Sequence, residues 1–230
     1  MTKHFILTNP ITRRLYPRFL HFFDGQNIER KLQDLALEET ARFVMDNLAG
    51  APAFKNDFAL LKYAMGKANL ATGLLCEFGV FRGTTINFIA ALTAQTVYGF
   101  DSFEGLPETW RPNFEKGRFA TSKLPKVRPN VKLIKGWFHD SLPPFLAEHP
   151  EHAAFLHIDC DLYSSTKTVF QLFRDRIRPG TVIVFDELFN YPGWQQGELK
   201  AFNEFISDTG LKYSWLGYCC YHEQAAVVIH

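Results

Sequence analysis

The chain has 230 residues, with 25 Lys and Arg against 24 Asp and Glu, so its net charge of +1 offers no positive field for nucleic acid or an anionic membrane surface. Its 15 Gly and 12 Pro are ordinary globular usage, which excludes extended disorder and collagen-like repeats. No apolar run approaches the roughly 18 residues of a transmembrane helix, and the opening MTKHFILTNPITRRLYPRF lacks an apolar stretch followed by a cleavage site, so a cytoplasmic protein is expected.

Residues 1–27 are aromatic, basic and without a clean period, and read as an arm lying on the body or on a partner subunit in a homo-oligomer. From 27 to 48 the apolar residues Ile28, Leu32, Leu35, Phe43 and Leu48 recur at helical spacing, which predicts an amphipathic helix. A second helix is predicted over 54–71, ahead of Gly73. Both precede the first strand-like run, so 1–72 reads as an arm with a helical cap and 73–230 as the ligand-binding domain. Short apolar runs at 74–78, 96–100, 131–134, 155–158 and 181–185 then read as buried strands. Helices are predicted at 84–93, 141–148, 165–176 and 198–208, and a closing hairpin at 212–215 and 225–229. Alternation of this kind predicts a doubly wound α/β domain with a mostly parallel sheet. The 23 Phe imply an aromatic-rich core or a pocket for something flat.

In such a sheet, ligands bind beyond the carboxyl ends of the strands. Those ends carry Glu77, Asp101, Asp140, Asp159 with Asp161, and Asp186 with Glu187. The first loop, E-F-G-V-F-R-G-T-T from Glu77 to Thr85, is not the dinucleotide pattern G-x-G-x-x-G. The charge of Glu77 would repel a pyrophosphate and suits a cationic amine. Asp101, at the next strand end, is placed to accept hydrogen bonds from ribose hydroxyls. Together they describe a nucleoside bearing an amino-acid-like cation, and S-adenosylmethionine is such a molecule.

The segments VYGFDSFEGLPE, KGWFHDSLP, FLHIDCDLYSSTKTV and VIVFDE resemble the macrocin O-methyltransferase (TylF-type) group within the class I, Rossmann-like methyltransferases, from about residue 74 onward. The resemblance implies a SAM-dependent O-methyltransferase acting on a hydroxyl of a small-molecule acceptor. It places the methionine moiety against Glu77, Gly79, Thr84 and Thr85, the ribose against Asp101 and Ser102, and the adenine against Gly136, Trp137 and Phe138. It also implies a divalent cation, Mg²⁺ or another hard ion, on Asp159, Asp186 and Glu187, with Asp159 touching the cofactor as well. Glu187 stands where the group usually has Asp. Carboxylate-only sites select hard cations, and Asp161 falls in the position of the general base. Tyr191, Trp194 and residues 195–200 follow the acids directly and are expected to wall the acceptor. His139, His157 and His222 are the other candidate bases, with His157 read as a structural residue. The adjacent Cys219 and Cys220 are read as packing. Three rivals stand beside this reading, one of them a SAM-fold binding module without catalysis, against which the complete set of acids speaks. Asp159-Cys160-Asp161 formally matches the D-x-D signature of nucleotide-sugar glycosyltransferases, and the same acids would orient an acceptor without metal in a metal-independent methyltransferase.

Overall fold

The computed structural model describes residues 27–230; the expected arm, apart from Asn27, lies outside them. In chain order come helix α1 (Ile28–Asn47), strand β1 (Ala53–Phe54), α2 (Asp57–Met65), β2 (Leu74–Phe78), α3 (Thr84–Ala91), β3 (Val97–Asp101) and β4 (Val131–Lys135). Then follow α4 (Phe138–Glu148), β5 (Ala153–Ile158), α5 (Tyr163–Phe173), β6 (Val182–Phe185), a 3₁₀ turn (Trp194–Gln196), α6 (Glu198–Thr209), β7 (Tyr213–Cys219) and β8 (Ala225–Ile229). The strands form one sheet in the order β1-β7-β8-β6-β5-β2-β3-β4. β2 to β6 pair in parallel, while β8 runs antiparallel to both β6 and β7. This is the doubly wound α/β architecture expected from the sequence.

The apolar runs make the central strands because both faces of a parallel sheet are covered: every residue of β2, β5 and β6 is buried. Alternate side chains go to opposite faces. Leu74, Cys76 and Phe78 join the core under α4, α5 and α6, while Leu75 faces the core under α2 and α3. Much of the phenylalanine surplus is spent on the first face. Phe78 stacks on Phe100 at 5.3 Å and meets Phe173 edge-on at 5.2 Å, and Phe170 stacks on Phe205 at 4.9 Å.

Several boundaries differ from the sequence reading. β1, two residues too short to show any period, adds parallel to β7 through Ala53↔Tyr218 and Phe54↔Cys219. α2 stops at Met65, where Gly66 caps it, rather than running to 71. α4 begins at Phe138, which sets Trp137 at its N-cap. Residues 102–130 hold no regular element, and Asn87 ties this excursion to α3 by bonding Lys126 O and Arg128 N. Cys219 is buried but Cys220 is exposed, so only the first is packing; all four cysteines are free thiols. No helix among the described residues is long and apolar enough to cross a membrane.

Candidate active site

The order in which strands are added to the sheet switches sides between β2 and β5. β3 and β4 lie on one side of β2, while β5 and β6 lie on the other. Crevices form at such switch points, and here a cavity of about 720 Å³ opens at the carboxyl ends of the strands. It is lined by Gly79, Thr84, Thr85, Asp101, Ser102, Gly136, Trp137 and Phe138, and also by Asp159, Asp161 and Glu187. Most of the residues singled out in the sequence thus meet in one space.

The loops around it are joined by backbone hydrogen bonds that extend the sheet ladder. Gly79 N donates to Phe100 O, Asp159 N to Phe78 O, Asp186 N to Ile158 O and Gly136 N to Asp101 O, at 2.8–3.0 Å. Gly79 has φ +90°, and a Cβ there would lie 1.7 Å from the carbonyl oxygen of Asp159. Both the left-handed backbone and the contact demand glycine. Gly79→Ala should therefore lower unfolding stability by about 2–4 kcal/mol, combining backbone strain with overpacking. An unchanged urea midpoint would show that the two loops do not touch.

Asp101 is first a loop organiser. Its Oδ2 accepts from Val80 N and Phe81 N, both at 2.8 Å, and its Oδ1 from Phe103 N at 2.6 Å. A carboxylate has about four acceptor directions, so one remains for a ligand hydroxyl. Glu77 does not line the cavity. It is fully buried, its Oε2 lies 3.0 Å from His157 Nδ1, and its Oε1 accepts from the Thr85 hydroxyl at 3.1 Å. The carboxylate expected from the sequence against a cationic amine is thus engaged in the sheet, behind the loop. Burial raises the Glu77 pKa against the pull of His157 and Thr85. For His157, burial acts to lower the pKa, but Asp186 and Glu77 more than offset it and hold the imidazole well above its ordinary range. Its Nε2 lies 3.9 Å from Asp186 Oδ1, too far for a hydrogen bond. His139 lines the cavity at its exposed rim and His222 is exposed beyond β7.

Asp159, Asp186 and Glu187 each bring an oxygen to within 4.8 Å of the others. Crowded carboxylates cannot all ionise. Burial, then the charge of Asp186, pushes Asp159 and Glu187 well above the carboxylate range. Asp186 goes the other way: burial acts to raise it, but His157, Glu187 and Gln224 outweigh that and hold it low. Of the three, Asp186 is the one held toward its carboxylate form, beside His157. Asp161 sits at the cavity with φ +63°, in the left-handed region that Asp tolerates better than most residues. Burial and the Asp186 charge, opposed by Arg111, push it up to about 7.

Two participants were not legible beforehand. Arg111, in the 102–130 excursion, stacks on Trp110 at 3.9 Å and pairs with Glu223 at 3.3 Å, over Asp161 in charge terms. Glu198 is fully buried at the start of α6, where its Oε2 accepts from Glu187 N at 3.2 Å. The sequence showed it only as an ordinary first-turn acid. Conversely, Trp194 does not wall the cavity; it is buried against Phe43 of α1, at 5.2 Å. Tyr191 is buried as well and meets Trp110 at 5.6 Å. Both are drawn inward because α1 packs over this segment, with Gln33 donating to Asn190 O and Asn190 N to Thr40.

The sequence pattern of a family described as a methyltransferase domain matches residues 76–188, from within β2 to just past the acids after β6. The match covers just under half of the chain, and the sheet order is that of the class I, Rossmann-like methyltransferase fold. Among particular relatives, the chain is 30% identical over 140 residues to 8-demethyl-8-(2,3-dimethoxy-alpha-L-rhamnosyl)-tetracenomycin-C 4'-O-methyltransferase of Streptomyces olivaceus, covering 50% of this chain and 52% of that protein. The chain thus spans about half the length of this curated relative. In fold it is similar to CalS11, a calicheamicin methyltransferase, with TM-score 0.55, 23% identity, and 97% of this chain and 88% of that one covered. In its apo form CalS11 is described as a TDP-rhamnose 3'-O-methyltransferase (TM-score 0.55, 20% identity, 99% of both chains). The O-methyltransferase NovP is also similar (TM-score 0.55, 20% identity, 74% of this chain and 76% of that one).

Proposed function

We propose that this chain is a SAM-dependent O-methyltransferase of the macrocin (TylF) type, acting with a hard divalent cation on a hydroxyl of a sugar or another small natural product. The observation that carries the reading is one cavity with two sets of groups. Gly79, Asp101 and Trp137 suit a nucleoside, and Asp159, Asp161 and Glu187 supply an acidic set beside them. The volume is within the range of small-molecule sites, and Trp137 and Phe138 offer flat surface for an adenine. The relatives' printed acceptors, rhamnosyl groups in two cases, agree with a sugar hydroxyl. The reading includes a cytoplasmic homo-oligomer in which residues 1–72 cap the domain. Ile28 and Met45 of α1, 74% and 75% exposed, give that cap an apolar outer face.

The acids fit a cation. Asp159, Asp186 and Glu187 offer oxygen donors only, and Glu187 Oε2 is buried with no hydrogen-bond partner. A dication bound there would relieve the crowding and lower the pKa of a nearby hydroxyl. The chain's own work is positional. The wall of Trp137 and the Gly79 loop fix the donor, and the 102–130 excursion adds the apolar side chains Leu106 and Phe119 to the cavity lining. Asp161 accepts the proton of the acceptor hydroxyl, and holding oxygen and methyl in line supplies most of the acceleration.

Calorimetry tests this in two steps. S-adenosylhomocysteine should bind, and Trp137→Ala should weaken it by about 1–2 kcal/mol, the scale of a lost aromatic contact. With that ligand saturating, Mg²⁺ should bind wild type but not Asp159→Asn. Failure to bind S-adenosylhomocysteine while a UDP-sugar binds would hand the site to the glycosyltransferase reading. Full turnover after exhaustive chelation would make the enzyme metal-independent.

A further inference from the structure

A second cavity, about 700 Å³, adjoins the first and shares Phe81, Arg82 and Phe119 with it. The two differ in charge. The first is lined by four acids, Asp101, Asp159, Asp161 and Glu187. The second is lined by Arg82, Arg118 and Lys123 and by no acid at all. None of these three cations forms an ion pair among the described residues. Three exposed cations and no acid give this hollow a positive field, which suits an anion. Thr121 and Ser122 stand in the same wall, and the Thr121 hydroxyl is buried with no hydrogen-bond partner.

The arginines also lie on a run of aromatic rings. Arg82 sits 4.8 Å from the Phe81 ring, and Arg118 lies 5.6 Å from Phe119 and 5.8 Å from Phe114. The rings follow one another: Phe81 to Phe119 at 5.3 Å, Phe119 to Phe114 at 5.8 Å, Phe114 to Trp110 at 5.2 Å, and Trp110 to Tyr191 at 5.6 Å. The strip therefore runs inward from the basic cavity to the buried Tyr191. Phe81 and Phe119, which face each other where the cavities join, both hold left-handed backbones, φ +48° and +70°. That conformation is uncommon for bulky residues and persists where the surrounding fold fixes it.

Guanidinium groups match phosphate oxygens in a planar fork, and aromatic faces stack nucleobases of any identity. We infer that the second cavity holds the diphosphate of a nucleotide-linked sugar, the acceptor of the proposed methyl transfer. The base lies against Phe81 and Phe119, the two rings of the strip that line both cavities, and the sugar reaches into the acidic cavity. This assignment rests on the O-methyltransferase reading and names its substrate class.

The test uses the full chain saturated with S-adenosylhomocysteine. Thymidine diphosphate, uridine diphosphate and inorganic pyrophosphate are titrated into wild type, Arg118→Ala and the Arg118→Ala/Lys123→Ala double variant. Neither Arg118 nor Lys123 lines the first cavity. At least one nucleoside diphosphate should bind wild type more tightly than pyrophosphate, and more weakly as salt rises. Arg118→Ala should cost about tenfold and the double variant more, the scale of charged hydrogen bonds, with affinity for S-adenosylhomocysteine unchanged. Equal binding to wild type and the double variant would overturn the inference, as would no nucleotide binding at all. Pyrophosphate binding as tightly as the nucleotides would overturn the nucleotide assignment. Weaker S-adenosylhomocysteine binding in the variants would show that these cations serve the cofactor instead. Should wild type fail to bind S-adenosylhomocysteine, the methyltransferase reading itself falls, whatever the groove binds.

Discussion

Asp161→Asn should bind S-adenosylhomocysteine like wild type yet lose roughly 10²–10⁴-fold in methyl transfer, the range for losing a general base. The substitution is informative because it preserves the backbone. Asp161 has φ +63°, and Asn accepts the left-handed region as readily as Asp, so the turn keeps its shape. Asp161→Ala would lose that tolerance and confuse a chemical defect with a structural one. Single turnover with labelled methyl donor and an acceptor sugar separates the two, because cofactor affinity is read in the same samples. If the Asn variant transfers methyl at the wild-type rate, Asp161 only orients the acceptor, and another group takes the proton.

The second large effect is on stability. His157→Phe should lower unfolding free energy by about 3–5 kcal/mol, the cost of stranding one member of a buried ion pair. Glu77 and His157 are both fully buried and 3.0 Å apart, so removing the imidazole leaves Glu77 with only the Thr85 hydroxyl. It also removes the positive charge facing Asp186. The double variant Glu77→Leu/His157→Phe should recover the part of the loss that comes from Glu77, because an apolar pair removes that stranded carboxylate, while Asp186 still lacks its cation. Equal urea midpoints for wild type and His157→Phe would show that the pair contributes nothing net.

How far the sequence disclosed this arrangement depended on the range of each interaction. The runs at β2, β5 and β6 were legible because strands buried on both faces must be apolar throughout. The acids at 159, 186 and 187 were legible because each directly follows such a run, and strand ends converge. Glu77 read differently from its place in the structure. Its partner His157 is on another strand, and no local pattern announces that the two meet across Glu77↔His157 in the β2–β5 register. The three donors that occupy Asp101, from Val80, Phe81 and Phe103, are backbone groups and leave no trace in side-chain pattern. Arg111 lies far from Glu223 in the chain, within an excursion with no period at all. Trp194 was misplaced because the packing of α1 over it depends on tertiary contacts, not on nearness to the acids in sequence.

The contact between Gly79 and the Asp159 carbonyl also limits how this domain can be re-engineered. Lengthening or reshaping either loop separately would break the join, so the donor-side loop and the acid-bearing loop must be redesigned as a pair or left alone. Freedom to change the acceptor therefore belongs to segments outside that join. Residues 102–130 are held by Asn87, by their own turns and by side-chain contacts such as Arg111–Glu223 and Ser164–Glu108, and they supply Leu106, Lys116 and Phe119 to the cavity. A library confined to that excursion would explore acceptor preference while leaving the paired loops in register.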